Sequence, residues 1–246
     1  MASFFHTVVY VPIYNLLVFL VDILPGGDLG LAIIIATLAV KLILMPLSLA
    51  AARTQKVMRT LEPELKALRE QYKDDKEKQA REMFALYKKY NVKPFASILM
   101  LFIQIPIVLG LYFVCMSAAT NAVDPALLYA FVPTPESISP LFLGIFSVTS
   151  MSITLAVLAG VTQLIQAWYV IPVPPKSTSA SPTMQEEFGR ALALQARFML
   201  PILIGLFALT SGVIALYFTA SNLFMVLQEF VVRQTHKDST PTPATV

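Results

Sequence analysis

The sequence predicts an all-α integral membrane protein: five transmembrane helices around a hydrophilic groove, with a cytosolic helical hairpin and an N-terminal amphipathic helix at the outer interface. Three observations carry that expectation. Of the 246 residues, 57% are hydrophobic and 13% charged, with a mean hydropathy of +0.70, a balance that belongs in lipid rather than in water. The basic residues are clustered: of 18 Lys and Arg, 12 lie in residues 51–95, whereas segments 1–28 and 119–140 have none. Finally, residues 29–52 form an apolar run, LGLAIIIATLAVKLILMPLSLAAA, with a single lysine, Lys41, at its middle.

That run is long enough to cross a bilayer at ~1.5 Å per residue. A central Lys costs about 2.5–3.5 kcal/mol on insertion, but each Leu, Ile or Val returns roughly 0.3–0.6 kcal/mol, and residues 29–49 hold twelve of those. The segment therefore inserts, and Lys41 has to face water or protein instead of lipid. A wet cavity within the membrane is the expectation.

The elements follow in order. Residues 1–24 are apolar but are interrupted by Pro12, Asn15 and Asp22 and ended by Pro25-Gly26-Gly27, so 12–24 reads as an amphipathic helix on the outer surface. A true first span with its N-terminus inside is the alternative, which hydropathy at this length leaves open. Span 1 covers 29–50. In residues 51–95, 19 of 45 are charged, and Leu61, Leu65, Leu68 and Tyr72, then Met83, Phe84 and Tyr87, recur at helical spacing. Two helices joined at Lys73-Asp74-Asp75-Lys76 form an antiparallel cytosolic hairpin on this reading. Span 2 is 96–118, 119–140 is an external loop, and span 3 is 141–165. Trp168 and Tyr169 then read as an interfacial belt.

Residues 170–193 are a cytosolic linker whose PVPPKSTSASPT stretch has no means of packing. The apolar stretch 198–232 has 35 residues, about 52 Å as one helix and too long for a core of ~30 Å. A break at Thr210-Ser211-Gly212 divides it into span 4 at 194–210 and span 5 at 212–232, with 234–246 as a disordered tail. Since cytoplasmic loops collect Lys and Arg, the N-terminus is expected outside and the C-terminus inside. Lys41, Gln104, Ser152, Tyr217 and Asn222 all fall near the middle of their predicted spans, where they could line one polar groove. For each alone, an interhelical hydrogen bond is the simpler explanation.

Enzymatic chemistry is not expected. No phosphate-binding loop, paired-histidine zinc motif or serine elbow occurs, Cys115 is the sole cysteine, and neither His6 nor His236 has a metal-ligand neighbour. Neither cofactor nor metal is anticipated. Proton-coupled transport usually needs an embedded carboxylate, and the one candidate is Glu229, near the cytosolic end of span 5. Five spans also do not divide into two equal inverted repeats, which counts against a small-solute or anion transporter using Lys41. What remains is a cationic, amide- and hydroxyl-lined groove suited to holding an acidic or polar peptide segment briefly within the bilayer.

These residues resemble the YidC/Oxa-type membrane protein insertase family. The carrying stretches are PIYNLLVFLVDIL from Pro12, AIIIATLAVKLILMPLSLAAARTQKVMRTLEPEL, YKKYNVKPFASILMLFIQIPIVLGLYF and MLPILIGLFALTSGVIALYFTASNLFMVLQ, together covering about residues 10–233. A basic n-region with a cleavage site and an Arg-rich transit peptide are both missing at the N-terminus, which reads as a bacterial plasma-membrane protein, and the resemblance implies a groove open to cytoplasm and lipid but closed outside. It implies insertion of newly made, short-tailed membrane proteins, alone or beside the Sec translocon, without nucleotide; separately, the protein is expected to be a monomer. Lys41 falls where the family's groove arginine usually stands, Gln104 on the glutamine of its L-I-Q-x-P motif, and Tyr217 and Asn222 on its L-Y-x-x-x-S-N segment. Lysine keeps the charge but loses the guanidinium's fixed fork. VKPFAS also departs from the family's usual NP followed by small residues. The tail QTHKDSTPTPATV lacks a basic run, so ribosome docking through it is not expected, and nothing suggests nucleic-acid recognition.

Overall fold

The computed structural model describes residues 5–90, 92, 96–120, 123–170 and 184–235. A π turn at His6–Tyr10 runs into α1 (Val11–Ile23), followed by α2 (Leu29–Ile43), α3 (Met45–Thr60), α4 (Glu62–Gln71), α5 (Lys76–Lys89) and α6 (Ala96–Thr120). A two-stranded antiparallel hairpin, β1 (Leu141–Phe142) and β2 (Phe146–Ser147), precedes α7 (Ile153–Val170), α8 (Met184–Ala208) and α9 (Gly212–Thr235). Two compact units result: Met1–Leu42 with Pro106–Val231, and Ile43–Ile105 with Val232–Val246.

Among the described residues, four single helical stretches are long and apolar enough to cross a membrane: His6–Ile23, Ile153–Val170, Glu187–Ala208 and Gly212–Gln234. The bent pair Leu29–Ile43 plus Met45–Gln55 qualifies as a fifth, and α6 contributes the shorter apolar stretch Phe102–Ser117. With almost no sheet among the described residues, the fold is that of an all-α integral membrane protein. Burial separates the spans by role: 50% of the Gly212–Gln234 window is buried but only 11% of Glu187–Ala208. Helix α9 is thus central, whereas α8 turns Phe198, Ile202 and Leu206 outward, as a lipid-facing helix must.

In the larger unit, the core joins Leu17 and Val18 of α1, Leu29 and Ile33 of α2, and Leu216 and Tyr217 of α9, among others. α7 meets α8 where Gly160 and Gly205 face each other, a Cβ on Gly160 lying 3.6 Å from the Gly205 Cα. Small residues at such crossings let helix backbones approach closely in lipid, where no hydrophobic force drives them together. The smaller unit has its own apolar cluster of Leu61, Leu65, Leu86 and Val92 between the helices of the α4–α5 hairpin. The Asp75 side chain caps α5 by accepting the Lys78 N–H at 2.9 Å, and Gln79 donates to the Arg69 carbonyl at 2.9 Å. The exposed Glu62–Lys66 pair, 3.9 Å apart, adds little.

Several boundaries differ from those expected. The N-terminal helix begins at His6, not residue 12, and by length and composition it ranks among the candidate spans, in keeping with the spanning alternative kept beside the surface reading. Pro12 removes a backbone donor without ending the helix; the turn before it winds as π. Span 1 was expected to be continuous to residue 50. Instead α2 stops at Ile43 and α3 starts at Met45, because Pro46 has no N–H to give and clashes with the preceding turn.

Span 3 was expected at 141–165 but its helix is Ile153–Val170, and residues 141–147 form the β-hairpin. Leu143 (φ 53°) and Gly144 (φ 70°) are both left-handed, a backbone that a helix cannot accommodate. Spans 4 and 5 are longer than expected, starting at Met184 and ending at Thr235. Most of the 170–193 linker, the Lys93-Pro94 turn and most of the 234–246 tail lie outside the described residues.

Candidate functional site

Helical spacing places Thr37 and Lys41 one turn apart on one face of α2, and both are buried, Lys41 to 8% exposure. Thr37 returns its hydroxyl to the Ile33 carbonyl at 2.7 Å, which satisfies it within its own helix. Lys41 sits in the last turn of α2, where a cation also complements the helix dipole. On α9, Asn222 is 4% exposed and its Nδ2 donates to the Thr162 hydroxyl of α7 at 3.4 Å. Thr162 in turn donates to the carbonyls of Leu158 and Ala159, at 2.9 and 3.0 Å. One turn further along α7, Gln166 receives the Gln163 amide at 2.9 Å and approaches the Met225 sulfur at 4.0 Å. An amide and hydroxyl seam therefore joins α7 to α9.

Of the five residues expected to share a groove, the structure sorts each differently. Asn222 lies in this seam. Tyr217, five positions away, points about 140° around α9 and belongs to the apolar core, its ring edge-on to Phe218 at 5.4 Å. Ser152 is not near the middle of a span at all. It is the residue before α7, where its hydroxyl meets the Leu155 N–H at 3.4 Å and its carbonyl the Ala156 N–H at 3.0 Å, the role of an N-cap. Gln104 belongs to the smaller unit and is half-buried. Lys41 is buried within the larger unit, as Asn222 and Tyr217 are.

Thr162 and Gln166 were missed because the expected span 3 was centred near residue 153. Once its helix is Ile153–Val170, Thr162 is its midpoint and the signal Thr-Gln-x-x-Gln becomes legible. Among the described residues no group of three or more His, Cys, Asp or Glu could hold a metal ion.

A second polar cluster lies at the ends of the spans. Asp28 caps α2 by accepting the Leu31 N–H at 2.9 Å, and its other carboxylate oxygen accepts the Leu143 N–H of the β-hairpin at 2.7 Å. Ser211 and Val213 bond the Val148 carbonyl at 3.1 and 2.7 Å, and the Gly212 N–H reaches the Ser150 carbonyl at 3.1 Å. A Cβ at Gly212 would stand 2.6 Å from the Ser147 carbonyl, so only glycine allows that approach. On the α1 side, the Tyr14 hydroxyl accepts the Asp124 N–H at 2.8 Å, and Asn15 binds both the Leu127 carbonyl and the Tyr129 N–H, at 2.8 and 2.6 Å. The starts of α2, α7 and α9 are thereby tied into one cap.

Spans of this composition with polar side chains sequestered between them define the class: a multi-pass membrane protein that keeps hydrophilic groups inside its helix packing. A sequence profile described as "60Kd inner membrane protein" matches residues 20–239. The chain belongs to that family, and the resemblance to YidC/Oxa-type proteins holds. It is 29% identical over 233 residues to a protein of Alkalihalophilus pseudofirmus named membrane protein insertase YidC, covering 92% of this chain and 80% of that protein. A protein of the same name from Cellvibrio japonicus is 31% identical over 206 residues, covering 84% of this chain but 32% of the longer relative. Halalkalibacterium halodurans has a relative named membrane protein insertase YidC 1, 29% identical over 212 residues, or 84% of this chain and 70% of that one. The protein is a multi-pass bacterial inner-membrane protein.

Proposed function

We propose that this protein is a membrane protein insertase and chaperone, not an enzyme. It accepts the hydrophilic tails of short membrane proteins in a positively charged intramembrane groove and releases their spans into lipid without nucleotide hydrolysis. The observation that carries the reading is the burial of Lys41 on α2, in the same unit as the amide and hydroxyl seam of Thr162, Gln166 and Asn222. Polar groups held inside a bilayer lower the cost of bringing a peptide's own polar groups there, because each unsatisfied backbone group in hydrocarbon costs several kcal/mol, of the order of 4–8 in the harshest transfer scales. Relatives named insertases support the same assignment.

In this mechanism the Lys41 ammonium attracts an acidic tail, the seam exchanges hydrogen bonds with its backbone, and the apolar outer faces of the spans receive the client's helix. Gln104, in the smaller unit, stands on the glutamine of the family motif. Tyr217 supports its wall from the core, and Ser152 fixes the end of α7. The N-terminus lies outside, the C-terminus in the cytoplasm, and newly made membrane proteins are the partners, with or without the Sec translocon.

The test is reconstitution of the purified protein in liposomes with a single-span client bearing a short acidic tail. Protection of the tail from external protease is expected without any nucleotide. Flux of a small anion with no client protection would replace this reading with a transporter.

A further inference from the structure

The cap at the starts of α2, α7 and α9 shows large apolar side chains outward. Phe131 is 77% and Ile145 72% exposed, with Leu143, Met151 and Tyr129 also open. Exposed apolar residues on the flanks of spans meet lipid, but these lie in the loop and hairpin beyond the helix ends. They are also held there firmly. Leu143 and Gly144 make the left-handed tip that sends the Leu143 and Ile145 side chains outward, and the Asp28 carboxylate grips the Leu143 N–H. Gly30 lets Phe142 lie directly on α2, since a Cβ there would collide with the Phe142 side chain. Tyr129 and Phe131 pair at 5.6 Å between centroids, and Asn15 fixes the backbone at Tyr129.

We propose that this cap docks into the headgroup region of the bilayer that the spans cross, with Tyr129, Phe131, Leu143 and Ile145 as its inserted residues. The occupant is lipid because the surface is continuous with the membrane-crossing helices. Ser152 caps α7 only five residues after β2, and the hairpin's neighbours Val148 and Ser150 bond the first residues of α9. The hairpin therefore stands at the level where hydrocarbon gives way to headgroups. Its chemistry fits that layer, in which aromatic rings are enriched and apolar tips are partly dehydrated. From residue 119 to residue 152 there is no Lys or Arg, only Asp124 and Glu136. Docking is thus apolar rather than an attraction to anionic lipid, and it is insensitive to salt. By the charge bias of the loops the leaflet is the outer one.

The test uses the reconstituted full chain. In a Trp168→Phe background, a single tryptophan is introduced as Phe131→Trp, Ile145→Trp or, as the aqueous control, Glu136→Trp. Vesicles carry lipids brominated near the headgroup end of the acyl chain, and iodide is the aqueous quencher. At 131 and 145 the bromolipid is expected to quench strongly and iodide severalfold less than at 136, equally in low and high salt. As a readout independent of Trp168, a spin label on Ile145→Cys should be more accessible to oxygen than to a water-soluble nickel chelate, Cys115 being buried. Free iodide quenching at 131 and 145 without lipid quenching overturns the proposal. Shielding from both quenchers also overturns it, by placing a protein surface over the cap.

Discussion

Burying an ammonium among apolar helices makes Lys41 the residue on which charge and geometry separate most cleanly. At ~4 Å a unit charge interacts by about 4 kcal/mol at an effective dielectric of about 20, before desolvation. Lys41→Arg is expected to retain insertion, and Lys41→Glu to abolish insertion of acidic-tailed clients. Lys41→Met should lower that insertion about tenfold or more, a loss of at least ~1.4 kcal/mol, while sparing clients with neutral tails. Equal losses for every client, together with lower thermal stability in detergent, would assign Lys41 to helix packing alone. Lys41 and Asn222 were legible as buried polar residues because a charge or amide inside an apolar run has few alternatives. Tyr217 was not, since hydropathy cannot tell which way a residue faces, and five positions along α9 reverse that direction.

At the scale of elements, the α4–α5 hairpin holds itself together through Leu61, Leu65, Leu86 and Val92, a cluster that asks nothing of the bilayer. Its remaining faces are mainly charged and exposed, with Phe84 open among them. Deleting 72–86 is therefore expected to leave a membrane-embedded protein, assayed by resistance to carbonate extraction, whose insertion activity falls severalfold. Loss of the protein from the membrane would make the hairpin structural instead. The helical periodicity of 51–95 announced such a hairpin plainly. The β-hairpin was hidden for the opposite reason: LFLGIF is as apolar as a span, and only Gly144 and the hydroxyl cluster behind it hint at a turn. Misreading those residues as helix moved the centre of α7, and the polar seam was lost with it.

For the whole molecule, the all-α membrane class follows from composition and run length alone, which is why it was readable without structure. Orientation rests on charge bias and carries its own prediction. With Cys115 buried, cysteines at Val123 and Ser137 should react with an impermeant external thiol reagent in intact cells, and a cysteine at Gln79 should not. External labelling of Gln79 would reverse the topology and with it the direction of client transfer.

The bond from Asp28 to Leu143 joins residues 115 apart in sequence, and that has a meaning for how the protein is made. While the chain is still being synthesised, α2 is complete long before its cap partner exists. At roughly 5–20 residues per second the Asp28 carboxylate waits some 6–23 s for Leu143, and Gly212 must then arrive before Val148 and Ser150 find their partners. The cap is thus completed only after Gly212 has been made, well after α2 and α7. During its own birth the protein passes through an uncapped form, whose loose span ends resemble those of the clients it is proposed to serve.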